Sequence, residues 1–131
     1  MKVGLAIYNI LSNDSDITSL VSTRIFPLVA PQSTQFPFIL YDVDENNPSD
    51  TKDGVSKLDT IQSTVSCYAK SYSEACDIAD KIRTALDRVS GTYNTIRIQS
   101  IQFDGLNEIF DDNHELGIYR KALDFNIRQN L

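Results

Sequence analysis

The sequence predicts an α+β domain: a mainly antiparallel sheet of about four strands, one long helix packed on it, and a short N-terminal helical segment. Three observations predict it. Apolar residues recur with helical period at the N-terminus and again in the middle of the chain. Segments with the two-residue period of strands flank that middle helix on both sides. The resulting order is α-α-β-β-α-β-β, with no internal repeat and no low-complexity tract, and residues 1–131 are expected to form a single domain.

Val3, Ala6, Ile7, Ile10 and Leu11 lie on one face of a first helix. Asn13 is expected to stop it through a left-handed conformation. Asp14 or Ser15 can then cap a second short helix whose Ile17, Leu20 and Val21 face inward. Pro27 and Pro31 interrupt regular structure, so Leu28 to Gln35 reads as a loop. Phe36 to Tyr41 is almost continuously apolar, as in a strand covered on both faces. Tyr41 and Val43 then point one way and Asp42 and Asp44 the other.

Asn46 to Lys57 is polar, holds Pro48 and Gly54, and reads as a loop. From Asp59 to Ala69, Ile61, Ser63, Val65, Cys67 and Ala69 alternate with Thr60, Gln62, Thr64, Ser66 and Tyr68, the period of a strand rich in β-branched residues. Ser71-Tyr72-Ser73-Glu74 is a capping-box pattern that opens the long helix. Its inward residues are Ala75, Ile78, Ala79, Ile82, Leu86 and Val89, and Gly91 is expected to end it. Ile96 and Ile98 begin a further strand, but Ile101 and Phe103 take the opposite phase, which a bulge near Gln99 and Ser100 reconciles. Asp104 to Glu115 reads as a turn region. Tyr119, Lys121, Leu123, Phe125 and Ile127 then form the core face of a last strand, with Arg120, Ala122, Asp124, Asn126 and Arg128 on the other face.

With 131 residues, 41% hydrophobic and 23% charged, the composition is that of an ordinary globular domain. The N-terminus lacks the apolar run of a signal peptide, and no segment approaches a membrane span, so the expected setting is a cytoplasm or a particle assembled there. Cys67 and Cys76 read as packed thiols; with one distant His114 they are too few ligands for zinc. The net charge of −6 is unevenly placed: Asp42–Asp53 and Asp104–Glu115 hold ten of the eighteen acids and one of the twelve bases. The direction of the connections puts these two acidic segments at opposite ends of the domain. A nucleic-acid binder needs clustered Lys and Arg, and no such cluster occurs.

Catalytic and metal chemistry have weak footholds. Asp42 to Asp53 places oxygen ligands at positions 1, 3, 5, 9 and 12 of an EF-hand-like calcium loop. Asn47, however, stands where the turn glycine belongs, and Asp53 where the bidentate Glu belongs. Asp111, Asp112, His114 and Glu115 read as a solvated turn in preference to an acid–base cluster. There is no nucleophile elbow, no glycine-rich phosphate loop, and no triad that could form without the single His. Phe26, Phe36, Phe38, Tyr41 and Phe125 read as core. The expectation is a protein without catalysis and without cofactor.

Three blocks then stand out together. They are AIYNILSNDSDITSLVSTRIFP followed by FPFILYDV, STVSCYAKSYSEACDIADKIRTALD, and YRKALDFNIRQ. In order and spacing this resembles the tail-completion (tail-terminator) proteins of long-tailed bacteriophages. Ser22 stands where that pattern has Gly, and Asn46 to Lys57 and Asp104 to Glu115 match nothing in it. The resemblance implies a structural virion protein, assembled in the host cytoplasm, that caps the head-proximal end of the tail tube as a ring. In that family the ring usually has six subunits, and it ends tube polymerisation and joins the tail to the head. Implied partners are further copies of the chain, the tail tube protein and a head-completion or neck protein, with DNA passing through the channel without specific binding. On that basis Asp44, Glu45, Asp50, Lys52, Asp53, Asp111, Asp112 and Glu115 are candidate partner or channel contacts. Arg120, Asp124 and Arg128 are candidate subunit contacts. The competing class is a non-enzymatic cytoplasmic adaptor or regulatory binding domain, which a measurement of assembled size separates from a ring former.

Overall fold

A computed structural model describes residues 2–48, 58–111 and 117–130 of the chain. Among them the elements run α1 (Val3–Ser12), α2 (Ser15–Val21), β1 (Ile25–Pro27), β2 (Phe38–Pro48), β3 (Leu58–Ala69), α3 (Tyr72–Leu86), β4 (Gly91–Tyr93), β5 (Ile96–Asp111) and β6 (Ile118–Asn130). The six strands form one sheet in the order β1-β2-β3-β6-β5-β4. All neighbours are antiparallel except the β1–β2 pair. The α+β class and the antiparallel character stand, but the sheet has six strands where about four were expected, and the short N-terminal helical segment is two helices, α1 and α2.

The helices lie on one face of the sheet. Val3, Ala6, Ile7 and Leu11 of α1, Ile17 and Val21 of α2, and Ala75, Ile78, Ile82 and Leu86 of α3 share one core with Ile39, Ile61, Val65, Leu123, Phe125 and Ile127. These strand residues are same-face partners: Ile61 opposes Ile127, Val65 opposes Leu123, and Tyr41 opposes Val65. The alternation read in both strands is therefore the alternation between a helix-covered face and a bare one.

The element ends show where local chemistry acts. Asp14 caps α2 by accepting from the backbone N–H groups of Asp16 (2.9 Å) and Ile17 (3.1 Å). Ser71 caps α3 by accepting from the Glu74 N–H at 3.1 Å. Asn13 does stop α1, but in a right-handed conformation (φ −96°) and with its side-chain amide donating to the Asn9 carbonyl at 2.8 Å. The long helix ends at Leu86, not at Gly91. Asp87 leaves the helical conformation, its carboxylate accepts from the Phe103 N–H, and the Arg88 and Val89 backbone pairs with Ile101. Strand contacts thus compete successfully with another helical turn.

The anticipated bulge is present: the β5–β6 register shifts between Ile98 and Ser100, and again between Phe103 and Gly105. Two expected loops are shorter than anticipated. β2 continues through Asn46 to Pro48, and β5 continues from Asp104 to Asp111, because both have a neighbouring strand to bond.

Ser22 follows α2 with φ 57° and ψ −126°, a conformation that suits glycine and strains an L side chain. Replacing the exposed Ser22 by Gly should therefore stabilise the fold by about 0.5–1 kcal/mol, the relief of strain exceeding the added unfolded-state entropy. Chemical denaturation of Ser22→Gly checks this, and an unchanged or lowered midpoint would contradict it.

Candidate assembly surfaces

The two acidic segments do emerge from opposite ends of the sheet. Where β2 gives way to β3, Leu58 pairs with Asn130. Where β5 gives way to β6, Asp111 pairs with Ile118, on the side of the sheet where Ala69 pairs with Tyr119. Of the candidate contacts, Asp44 is exposed on β2, Glu45 lies in the same strand, and Asp111 is the last residue of β5. Asp50, Lys52, Asp53, Asp112 and Glu115 lie outside the described residues, as does His114. The EF-hand-like spacing begins inside a strand: Asp42 pairs with Thr64, and the Thr64 N–H donates to its carboxylate at 3.2 Å. Among the described residues no group of three or more potential metal ligands comes together.

Arg120, Asp124 and Arg128 stand on the face of β6 that no helix covers. Asp124 accepts from the Thr64 hydroxyl at 2.7 Å, and both Asp124 and Arg128 are exposed. Arg120 is tied down more firmly. Its guanidinium donates to the Ser66 hydroxyl at 3.2 Å and sits 5.7 Å from the centre of the Tyr68 ring, while its Nε is buried without a hydrogen-bond partner.

The most developed polar cluster was not foreseen. Lys121 falls on the helix-covered face and is only 8% exposed. Its ammonium lies 3.3 Å from the Glu108 carboxylate and 4.9 Å from the centre of the Tyr72 ring. The Tyr72 hydroxyl donates to the same carboxylate at 2.9 Å. Burial opposes the charge of Lys121, yet hydrogen bonds to Cys76 and Glu108 hold its pKa above the ordinary lysine value. The Tyr72 hydrogen bond, then the Lys121 ammonium, hold Glu108 below the usual carboxylate range. Cys67 is buried, its thiol pushed up to about 11 by that burial, and it donates to the Ala75 carbonyl at 3.5 Å. A thiol so placed is packing, not a nucleophile.

Because Glu108 is depressed in the fold, its contribution is present above the unfolded carboxylate pKa and is lost as pH falls through the folded value. Glu108→Gln should therefore flatten the acid limb of a plot of Tm against pH. It should also lower Tm at neutral pH by leaving the Lys121 charge buried without its counter-charge. Lys121→Met removes that charge and leaves Glu108 in water, so its Tm should exceed that of Glu108→Gln. The reverse ranking in thermal melts would refute this account.

Around this cluster β5 runs as a bare edge. β4 pairs only with Ile96 to Ile98, and Asp87 to Val89 cover the strand as far as Phe103. Beyond that, among the described residues, no strand lies outside Asp104 to Asp111. This stretch carries the exposed apolar residues Leu106, Ile109 and Phe110, with Tyr72 beside them. Phe110 packs on Tyr119 with ring centres 5.0 Å apart. Gly117, at φ 70°, makes room for it: a Cβ there would come within 2.5 Å of the Phe110 ring. In sequence, the alternation of Leu106, Glu108 and Phe110 with Asn107, Ile109 and Asp111 was the available signal.

A second exposed apolar stretch follows β1. Leu28 and Val29 are 70% and 75% exposed, next to an open groove of about 650 Å³ lined by Ala30, Pro31, Phe36, Phe38 and Lys70, among others. Large apolar side chains left in water at two separate places mark protein contacts.

These features define an α+β domain with one sheet face that no described helix covers and two stretches of exposed apolar side chains. Residues 5–130 match the family model described as tail completion protein gp17, and the chain belongs to that family. It is therefore a structural tail protein of a phage-type virion, and the family is not one of enzymes. Among solved structures, a chain from the virion of a native gene transfer agent particle is similar. The TM-score is 0.78 at 18% sequence identity, covering 96% of this chain and 92% of that one. No curated protein matches the chain in sequence.

Proposed function

We propose that this protein caps the head-proximal end of the tail tube as a ring, six copies in the family's usual arrangement, ending tube polymerisation and joining tail to head. The observation that carries the reading is family membership over nearly the whole chain. The two surfaces fit it physically: a ring needs a heterologous contact, in which one patch meets a different patch on the next copy. An acidic lining would let DNA pass without adhering, since like charges repel the phosphate backbone.

In this reading the two acidic segments meet the two axial partners or the channel. Asp44, Glu45, Asp50, Lys52 and Asp53 belong to one rim, and Asp111, Asp112 and Glu115 to the other. Arg120, Asp124 and Arg128 contribute to contacts between copies. Removing the protein during phage assembly should yield tubes of unregulated length and filled heads without tails, both visible by negative-stain electron microscopy. Tails of normal length that still join heads would refute the role.

A further inference from the structure

We infer that neighbouring copies meet through the bare, acidic end of β5 on one copy and the exposed apolar stretch after β1, flanked by Arg24 and Lys70, on the next. The inference rests on the ring reading and adds to it which surfaces touch. Three observations lead there.

The first is position. The two stretches occupy opposite edges of the sheet but the same rows across it. Pro27 pairs with Tyr41, Tyr41 with Val65, Val65 with Leu123, and Leu123 with Leu106. Ile25 leads in the same way to Glu108. A contact between surfaces on shared rows at opposite edges repeats from copy to copy without a built-in step along the strands, which favours closure over a helical filament.

The second is charge. Between Gln99 and Tyr119 every charged residue is acidic apart from the single His114, and with Glu108 paired to Lys121 the Asp104 and Asp111 charges still leave the strand negative. Between Asp16 and Asp42 the sole charged residue is Arg24, whose Nε donates to the Pro37 carbonyl at 2.8 Å and leaves its positive charge beside the apolar stretch, and Lys70 lines the adjoining groove. Each surface thus carries exposed apolar side chains flanked by one sign of charge, and the signs are opposite. Complementary charge of this kind fixes register and rejects wrong partners.

The third concerns the alternatives. Direct ladder pairing onto β1 is blunted: Pro27 has no N–H, its carbonyl accepts from the Val29 N–H at 2.7 Å, and the Ile25 N–H already bonds Thr23. Pairing β5 onto the part of β2 beyond Tyr41 would bring a stretch holding Asp104, Glu108 and Asp111 to one holding Asp42, Asp44 and Glu45, both without a base. Side-chain contact with the Leu28–Val29 stretch is the arrangement left.

Cysteine pairs test this in assembled tails. Val29→Cys and Leu106→Cys change two exposed residues, each tested singly and together under a mild oxidant in a chain that also carries Cys76→Ser, since the native Cys76 is partly exposed and Cys67 is buried. The double variant should give a covalent ladder ending at the copy number of the ring, while each single variant and the Cys76→Ser parent remain monomeric on denaturing gels. Dimers from either single variant would mean a two-fold contact and overturn the inference. So would a double variant that stays monomeric in tails where microscopy shows the ring. Wild-type tails with no ring at all would instead overturn the ring reading, and this contact with it.

Discussion

Phe125→Ala should cost about 3–5 kcal/mol of stability, the range for emptying an aromatic site in a packed core. Phe125 is 1% exposed and sits mid-strand in β6, edge-on to Phe103 with ring centres 5.8 Å apart. Ile7, Val65, Leu86, Ile101 and Ile127 surround the same space, so α1, α3 and three strand positions lose contacts together. Such groups belong to separate elements and cannot all move inward, so much of the cavity should persist. For a chain of this size the loss corresponds to a fall in Tm of roughly 10–20 °C. A fall of only a degree or two in a thermal melt would show that the helices are not seated on this ring.

The elements legible in the sequence are those whose period had room to show. α3 offers five buried positions at helical spacing, and β3 and β6 each alternate over more than ten residues. Where the period is cut short, local reading fails. β1 has three residues, ends in Pro27, and exists because it lies beside Ile39 to Tyr41. β4 is equally short, and its hairpin to β5 turns on Asn94 and Thr95, both at positive φ. That geometry usually advertises itself with glycine, and Thr is a poor signal for it.

The placement of the candidate surface residues was legible in part for the same reason. The two-residue alternation separated Arg120, Asp124 and Arg128 from the core, and the connections placed the acidic segments at opposite ends. The far half of β5 was hidden because Gly105 and three acids make Asp104–Asp111 look like a turn, whereas pairing with β6 makes it a strand. Lys121 was placed on the core face by its period, but its carboxylate partner lies thirteen positions earlier in the chain. Only the register that sets Glu108 opposite Lys121 brings them together. Residues that meet across strands are set by long-range pairing, which no local window contains.

Neutralising either acidic segment should block a different joining step. One variant carries Asp44→Asn, Glu45→Gln, Asp50→Asn and Asp53→Asn; the other carries Asp111→Asn, Asp112→Asn and Glu115→Gln. Rim ion pairs are worth roughly two- to threefold each in affinity, so losing three or four should weaken docking about tenfold or more. In the proposed ring, with the strands running along its axis, segments that leave the sheet at opposite ends face different axial partners. One variant should therefore accumulate normal-length tails that fail to join heads, and the other should accumulate overlong tubes. Micrographs of the two lysates distinguish these products. Asp44 is exposed on β2, and thermal melts of both variants check that the fold is retained. If both variants gave infectious particles at wild-type yield, the acidic segments would have no part in joining, and the apolar surfaces at the sheet edges would carry the assembly alone.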